Sequence, residues 1–153
     1  MMTDMSMDFM EKQGAGATKA LEVLREELPL QRFVGENLGQ AVVEGEVALP
    51  GGLREETTVL SAEAMAVLDR STAEADRVTA DGKVVFHVLY TQGDPTHVSA
   101  LEASAEFSHP VELAGAQSGM TAPVSLMVEH VEAGAQGGRL HLMAILRVQV
   151  RVF

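Results

Sequence analysis

Apolar and polar residues alternate with a period of two through most of the chain, most regularly from Arg139 to Phe153. One face of this segment consists of Leu140, Leu142, Ala144, Leu146, Val148, Val150 and Val152, and the other of His141, Met143, Ile145, Arg147, Gln149, Arg151 and Phe153. Side chains on a β-strand point alternately to opposite faces. The pattern therefore predicts a final strand with one buried face and one partly exposed face.

Earlier segments repeat this alternation. From Leu38 to Leu49 the residues Val43, Gly45, Val47 and Leu49 share one face of a predicted strand, and Pro50-Gly51-Gly52 ends it. Asp81-Gly82 predicts a tight turn before the segment Lys83–Thr91, which is apolar on both faces. A strand of this type is expected at the centre of a sandwich.

The segment from Thr57 to Asp69 is ambiguous, because its Ala, Glu, Met and Leu residues also suit a helix. The neighbouring segments favour a strand, since they alternate with a period of two. That strand would place Thr58, Leu60, Ala62, Ala64, Ala66 and Leu68 on one face.

The second half of the chain continues in short elements. Gly93-Asp94-Pro95 predicts a turn, His97–Phe107 a strand, Pro110–Leu113 a short edge-like piece, and Gly115–Pro123 a loop. Pro123–Glu132 predicts a strand with Val124, Leu126, Val128 and His130 on one face, and Gly134–Gly138 a glycine-rich turn. Six to eight short strands predict an all-β domain of antiparallel sheets, either sandwich-like or an open barrel.

The N-terminal part differs. Residues 1–16 predict a flexible arm, residues 17–29 a short amphipathic helix, and residues 30–153 the β domain. The helix would present Leu21, Leu24 and Leu28 as an apolar stripe, which must pack against its own sheet or against a neighbouring molecule. These three leucines are therefore candidate assembly contacts.

Composition removes several functional classes. The 153 residues include no cysteine, which excludes thiolate catalysis and cysteine-ligated zinc. The formal net charge of -11 disfavours nucleic acid and anionic membranes, and it suits a protein that meets a basic partner. The N-terminus lacks the basic and apolar regions of a signal peptide, so we expect synthesis in the cytoplasm.

The candidate catalytic and metal-binding residues carry no recognisable motif. The five histidines are His87, His97, His109, His130 and His141, and none has the H-x-x-x-H spacing of a metal site. His87 is expected to be half-buried in an apolar strand. Glu44 and Glu46 share a strand face, as a catalytic carboxylate pair could, but a solvated face explains them equally well. We therefore expect no enzyme activity, no cofactor and no bound metal.

Several short motifs, in their order along the chain, resemble those of the SPOCS domain of spore-forming bacteria. The most distinctive are Asp81-Gly82-Lys83-Val84, Val88-Leu89-Tyr90 and Phe107-Ser108, and the likeness extends over roughly residues 30–153. The resemblance implies a β-rich domain for protein–protein assembly at the forming spore surface, either by self-association or with another spore morphogenetic protein. The family offers no catalytic residues to carry over.

An alternative function stays open. The small residues Ala62, Ala64, Ala66, Ala103 and Ala105 could leave a cavity inside a β-barrel or sandwich. Such a protein would carry a small apolar molecule.

Overall fold

The computed structural model describes residues 32–49, 57–136 and 139–153. They form six strands, which are β1 Gly35–Val47, β2 Thr57–Glu74, β3 Arg77–Gln92, β4 Val98–Glu112, β5 Val124–Gln136 and β6 Arg139–Val152. All pairings are antiparallel and give two three-stranded sheets, with strand orders β1-β6-β5 and β2-β3-β4. The prediction of an all-β, sandwich-like fold is confirmed. No helix among the described residues is long and apolar enough to cross a membrane.

The predicted N-terminal arm (residues 1–16) and helix (residues 17–29) lie outside the described residues. The same holds for the candidate assembly contacts Leu21, Leu24 and Leu28, which stay predictions.

The central strand of each sheet supplies most of the core. In β6 the even-numbered side chains from Leu140 to Val152 are almost completely buried, as the alternation predicted. In β3 the side chains of Val78, Val84, Phe86 and Val88 are equally inaccessible. These two strands are central because their inward faces are uninterrupted rows of apolar side chains, whose removal from water drives the packing of the sheets.

The ambiguous segment that begins at Thr57 is a strand, as favoured. Its inward residues Ala62, Ala64 and Ala66 pack against the core. The predicted face is wrong at its beginning, because a register shift between Val59 and Ser61 leaves Leu60 as an extra residue. A β-bulge of this kind reverses the alternation locally. Leu60 is consequently exposed, and Val59 packs against the core in its place.

The predicted turn at Asp81-Gly82 is wrong, since both residues lie inside β3. The chain instead turns at Ala75-Asp76, where Asp76 adopts a φ of 57°. Gly82 is required for close approach to the neighbouring strand: a Cβ atom there would lie 2.2 Å from the carbonyl oxygen of Val67. Asp-Gly has the composition of a turn, but here it accommodates the second bulge of β2, between Leu68 and Arg70.

The short edge-like piece predicted at Pro110–Leu113 is the end of β4, an edge strand that runs without interruption to Glu112. Pro110 pairs with Thr79 and has no N–H group to donate. The proline is tolerated because β4 is an edge strand of its sheet.

A bulge also changes the face assignment in β5. The register shifts between Val128 and His130, so His130 points outward although Val124, Leu126 and Val128 point inward as predicted. The strand continues to Gln136, so that the predicted turn from Gly134 is wrong for its first three residues.

The two sheets pack face to face, with β1 near β4 on one side and β2 near β5 on the other. A side-chain hydrogen bond joins the edges on each side. The amide nitrogen of Asn37 in β1 donates to the carbonyl of Glu112 at 2.7 Å, and the hydroxyl of Ser71 in β2 donates to the carbonyl of Ala122. The first bond links two edge strands, and the second links β2 to the loop just before β5.

Candidate interaction surfaces

The outer side of the β2-β3-β4 sheet carries an exposed apolar surface around a row of charged and titratable residues. We call it the Glu63 face and define it by Leu60, Met65, Leu89 and Val98, together with the row Glu63, His87 and Glu102. The four apolar side chains are between 42% and 58% exposed. Clusters of large apolar side chains on a protein surface commonly mark interaction sites.

The charged row crosses all three strands. His87 of the central strand lies directly opposite Glu63 on one side and Glu102 on the other. Its Nδ1 atom is 3.6 Å from a carboxylate oxygen of Glu102. The side chain of His87 points away from the core and is 51% exposed, so about half of it is shielded from water.

The outer side of the β1-β6-β5 sheet has a similar composition with the opposite charge at its centre. We call it the Arg147 face and define it by Leu38, Val42, Met127, Ile145 and Arg147. Arg147 lies on the central strand between Gln40 and Met127. Leu38, Val42 and Met127 are between 49% and 59% exposed. Among the described residues, no carboxylate forms an ion pair with Arg147.

A polar row marks the bulged end of the Glu63 face. Asp81 lies opposite Arg70 on β2 and Ser108 on β4. Two side-chain hydrogen bonds lower the pKa of Asp81. The bond from Ser108 has the larger effect, and the second comes from Arg70 Nε at 3.1 Å. Phe107 lies opposite Gly82 in the next row. Residues of both rows line one open depression.

This corner brings together two of the motifs that carry the family resemblance. Asp81-Gly82 and Phe107-Ser108 are far apart in sequence but form two adjacent cross-strand pairs. Their shared location indicates a structural role: they accommodate the bulge and fix the register of β3 against both neighbours.

Two histidines of the β1-β6-β5 sheet form pairs with carboxylates of the same sheet. His130 Nε2 is 2.9 Å from Glu132, and His141 Nδ1 is 3.8 Å from Glu46. Glu44 and Glu46 are exposed on the outer side of β1, as a solvated face predicts. No group of three or more His, Asp or Glu residues suited to hold a metal ion occurs within the described parts of the chain.

The loop after β3 has its own capped turn. Asp94 accepts hydrogen bonds from the hydroxyl of Thr96 at 2.7 Å and from its backbone N–H at 2.9 Å. These two bonds lower the pKa of Asp94. They explain the turn predicted from Gly93-Asp94-Pro95, since a short acidic side chain stabilises such a turn locally.

The alanines considered for a ligand cavity are all half-buried and pack against the core. They line the inner sides of β2 and β4, where small side chains let the edge strands approach the opposite sheet. Gly45 of β1 illustrates this closeness, because a Cβ atom there would lie 3.5 Å from the Cβ of Ala105.

Sequence reasoning missed both outer faces. Alternation alone places Leu60 on the same face as Ala62, because it does not reveal the bulge, and Arg147 is one polar residue among several on its strand. Only the strand register shows that Glu63, His87 and Glu102 form a row. The available signal was the apolar character of both sides of β3, which indicates an outer face that is not simply solvated.

Comparison with known proteins identifies the family. The family model described as SipL, SPOCS domain, matches residues 57–136, about half of the chain. The match begins with β2 and ends with β5, so it contains the whole β2-β3-β4 sheet and the Asp81–Ser108 corner. No curated protein and no solved structure shows significant similarity to the chain. The chain belongs to the SPOCS-domain family.

Proposed function

We propose that this protein is a non-enzymatic structural protein that mediates protein–protein assembly during formation of the spore envelope. The observation that carries the proposal is the pair of broad outer faces in a SPOCS-family domain, each with several large apolar side chains in water. Single exposed apolar residues are ordinary, but a cluster on one sheet face favours burial against another protein.

The composition of the two faces supports binding rather than catalysis. The two faces expose Met65, Met127 and Arg147 among other large side chains, and Met and Arg are enriched at protein interfaces relative to the rest of the surface. Family membership supports the spore envelope as the place of assembly. In this proposal the protein is made in the cytoplasm and assembles on the surface of the forming spore, with itself or with another morphogenetic protein.

The proposal is tested by site-specific crosslinking during sporulation in the organism that encodes the chain. A photo-crosslinking amino acid replaces Met65 on the Glu63 face or Met127 on the Arg147 face, both of which are exposed. Ser118, exposed in the loop between β4 and β5, is the matched control position. A fluorescent fusion of the full chain reports its location in parallel.

We expect the fusion to form a shell around the developing spore, and the crosslinker at Met65 or Met127 to capture protein that the Ser118 position does not. A fusion that stays diffuse throughout sporulation, with equal capture at all three positions, would contradict the proposal.

A further inference from the structure

We propose that copies of this chain stack on one another, with the Arg147 face of one copy against the Glu63 face of the next. The inference rests on the proposed assembly function and names a second copy of the chain as the partner. It follows from the opposite charges at the centres of the two faces, which lie on opposite sides of the same sandwich.

The Glu63 face offers two carboxylates to a cation. Glu63 and Glu102 flank the central His87 from the two neighbouring strands, so their backbones are about 10 Å apart at two strand spacings. Glu63 makes no ion pair with any described residue, and Glu102 faces only the histidine. Lys83 lies farther along β3, directly opposite Glu106.

The Arg147 face offers the matching cation. Arg147 is exposed at the centre of its sheet, and the adjacent row contains Val42 and Ile145. A guanidinium group has five N–H donors in a planar fork, so it can bond carboxylates on both sides of it. Stacking would place this group over His87, where Glu63 and Glu102 can both accept from it.

The apolar residues complete the match. The apolar side chains of the two faces would meet in the stack, and both sets are exposed in the single chain. They are Leu38, Val42 and Met127 on the Arg147 face, and Leu60, Met65, Leu89 and Val98 on the Glu63 face. Sheets that pack face to face lie about 10 Å apart, which leaves room for these side chains to interdigitate. Their burial removes water from the ion pairs, which makes the charged contacts specific.

This contact joins two different faces, so it is heterologous. A heterologous contact leaves one free face at each end of the assembly, and it therefore continues into an open stack unless the rotation closes a ring. Self-association by two copies of the same face is disfavoured, because it would bring Glu63 and Glu102 against their own equivalents, or Arg147 against Arg147.

Charge reversal on full-length protein tests the pairing. Arg147→Glu, the acidic variant, gives both faces a carboxylate at the centre, and the double variant Glu63→Arg/Glu102→Arg, the basic variant, gives both faces a guanidinium at the centre. Light scattering across a dilution series gives the protein concentration at which half of the chains are associated. For each variant alone we expect this concentration to be at least about 30-fold higher than for wild type. Arg139→Glu and Glu112→Arg, at the ends of β6 and β4, are controls that should associate like wild type.

Mixing provides the decisive measurement. The acidic and basic variants should co-assemble at a one-to-one ratio, because every contact in an alternating stack then joins opposite charges. The triple variant Arg147→Glu/Glu63→Arg/Glu102→Arg should assemble alone for the same reason. Circular dichroism of each variant shows whether it is folded, so that weaker association is not mistaken for unfolding. Assembly of the mixed variants and of the triple variant is a second, independent sign that these chains fold.

Failure of the stacking inference is distinguishable from failure of the proposed function. A wild-type chain that stays monomeric at millimolar concentration, or charge variants that associate like wild type, would overturn the stacking. Charge variants that are not restored by mixing would overturn it as well. None of these results would prevent the crosslinkers at Met65 and Met127 from capturing a different protein in sporulating cells.

Discussion

Replacement of Gly82 by alanine should destabilise the fold strongly, because two neighbours enclose the position. A Cβ atom would lie 2.2 Å from the backbone oxygen of Val67 and 3.0 Å from Cζ of Phe107, whereas real Cβ atoms almost never approach closer than 3.0 Å. Relief of the first clash requires the backbone at the β2 bulge to move by at least about 0.8 Å, the difference between 3.0 Å and 2.2 Å. Forced overpacking of this kind costs about 1–3 kcal/mol, and the backbone contact favours the upper part of that range.

The matched control is Gly134→Ala. Gly134 is also a strand glycine, but a Cβ atom there meets nothing within 4 Å. Alanine at this exposed position should leave stability unchanged or raise it by about 0.4–1 kcal/mol, because it restricts the unfolded chain.

Urea denaturation followed by circular dichroism measures both free energies of unfolding. For a chain of this length the loss at Gly82 corresponds to a melting temperature lower by roughly 4–12 °C. If Gly82→Ala and Gly134→Ala unfold at the same urea concentration, the close approach of β2 and β3 at the bulge is not as described, and the structural role assigned to the Asp81–Ser108 corner fails with it.

Two further predictions concern polar contacts. Asn37→Ala removes the exposed bond between the β1 and β4 edges and should cost about 0.5–1.5 kcal/mol in urea denaturation, whereas Gln40→Ala on the same strand should cost much less. Asp81→Asn should destabilise at pH 7 but progressively less as pH falls below the ordinary carboxyl pKa of 3.8. The sign follows because a lowered pKa favours the ionised carboxylate in the folded state, so its contribution is complete above 3.8 and is lost on protonation. Denaturation at pH 7 and pH 3 measures it, with the exposed Asp69→Asn as control, and an equal loss at both pH values would refute it.

The fold was predictable where one residue type dominates a face. The even-numbered residues of β6 are all apolar, so its buried side followed from alternation alone. The same reasoning failed at Leu60 and His130, because a single extra residue in a bulge reverses the faces. Bulges have no composition signal of their own here, and their positions depend on the partner strand.

The interaction surfaces were less predictable than the fold for a related reason. Glu63 and Glu102 are separated by most of two strands, and they become neighbours of His87 only when both registers are fixed. The Asp81-Gly82 pair was recognised as a family motif, yet its local pattern indicated a turn. Its actual role depends on Val67 and Phe107, which no local pattern connects to it.

The edges of the sandwich favour assembly through its faces. Of the edge strands, β2 and β5 contain bulges and β4 contains Pro110, and each of these features interrupts regular pairing with another strand. On β1, the side-chain oxygen of Asn37 accepts from the N–H of Leu38 at 2.9 Å, so one backbone donor is already bonded locally.

Infrared spectroscopy separates the two modes of assembly. Stacking of faces leaves every sheet with three strands, so the amide I band of the assembled protein should match that of the monomer. Growth by edge pairing would extend the sheets and shift the band to lower wavenumber as assembly proceeds. Such a shift would refute stacking by the outer faces, because the new hydrogen bonds would then lie between backbones rather than between Arg147 and the carboxylates of the Glu63 face.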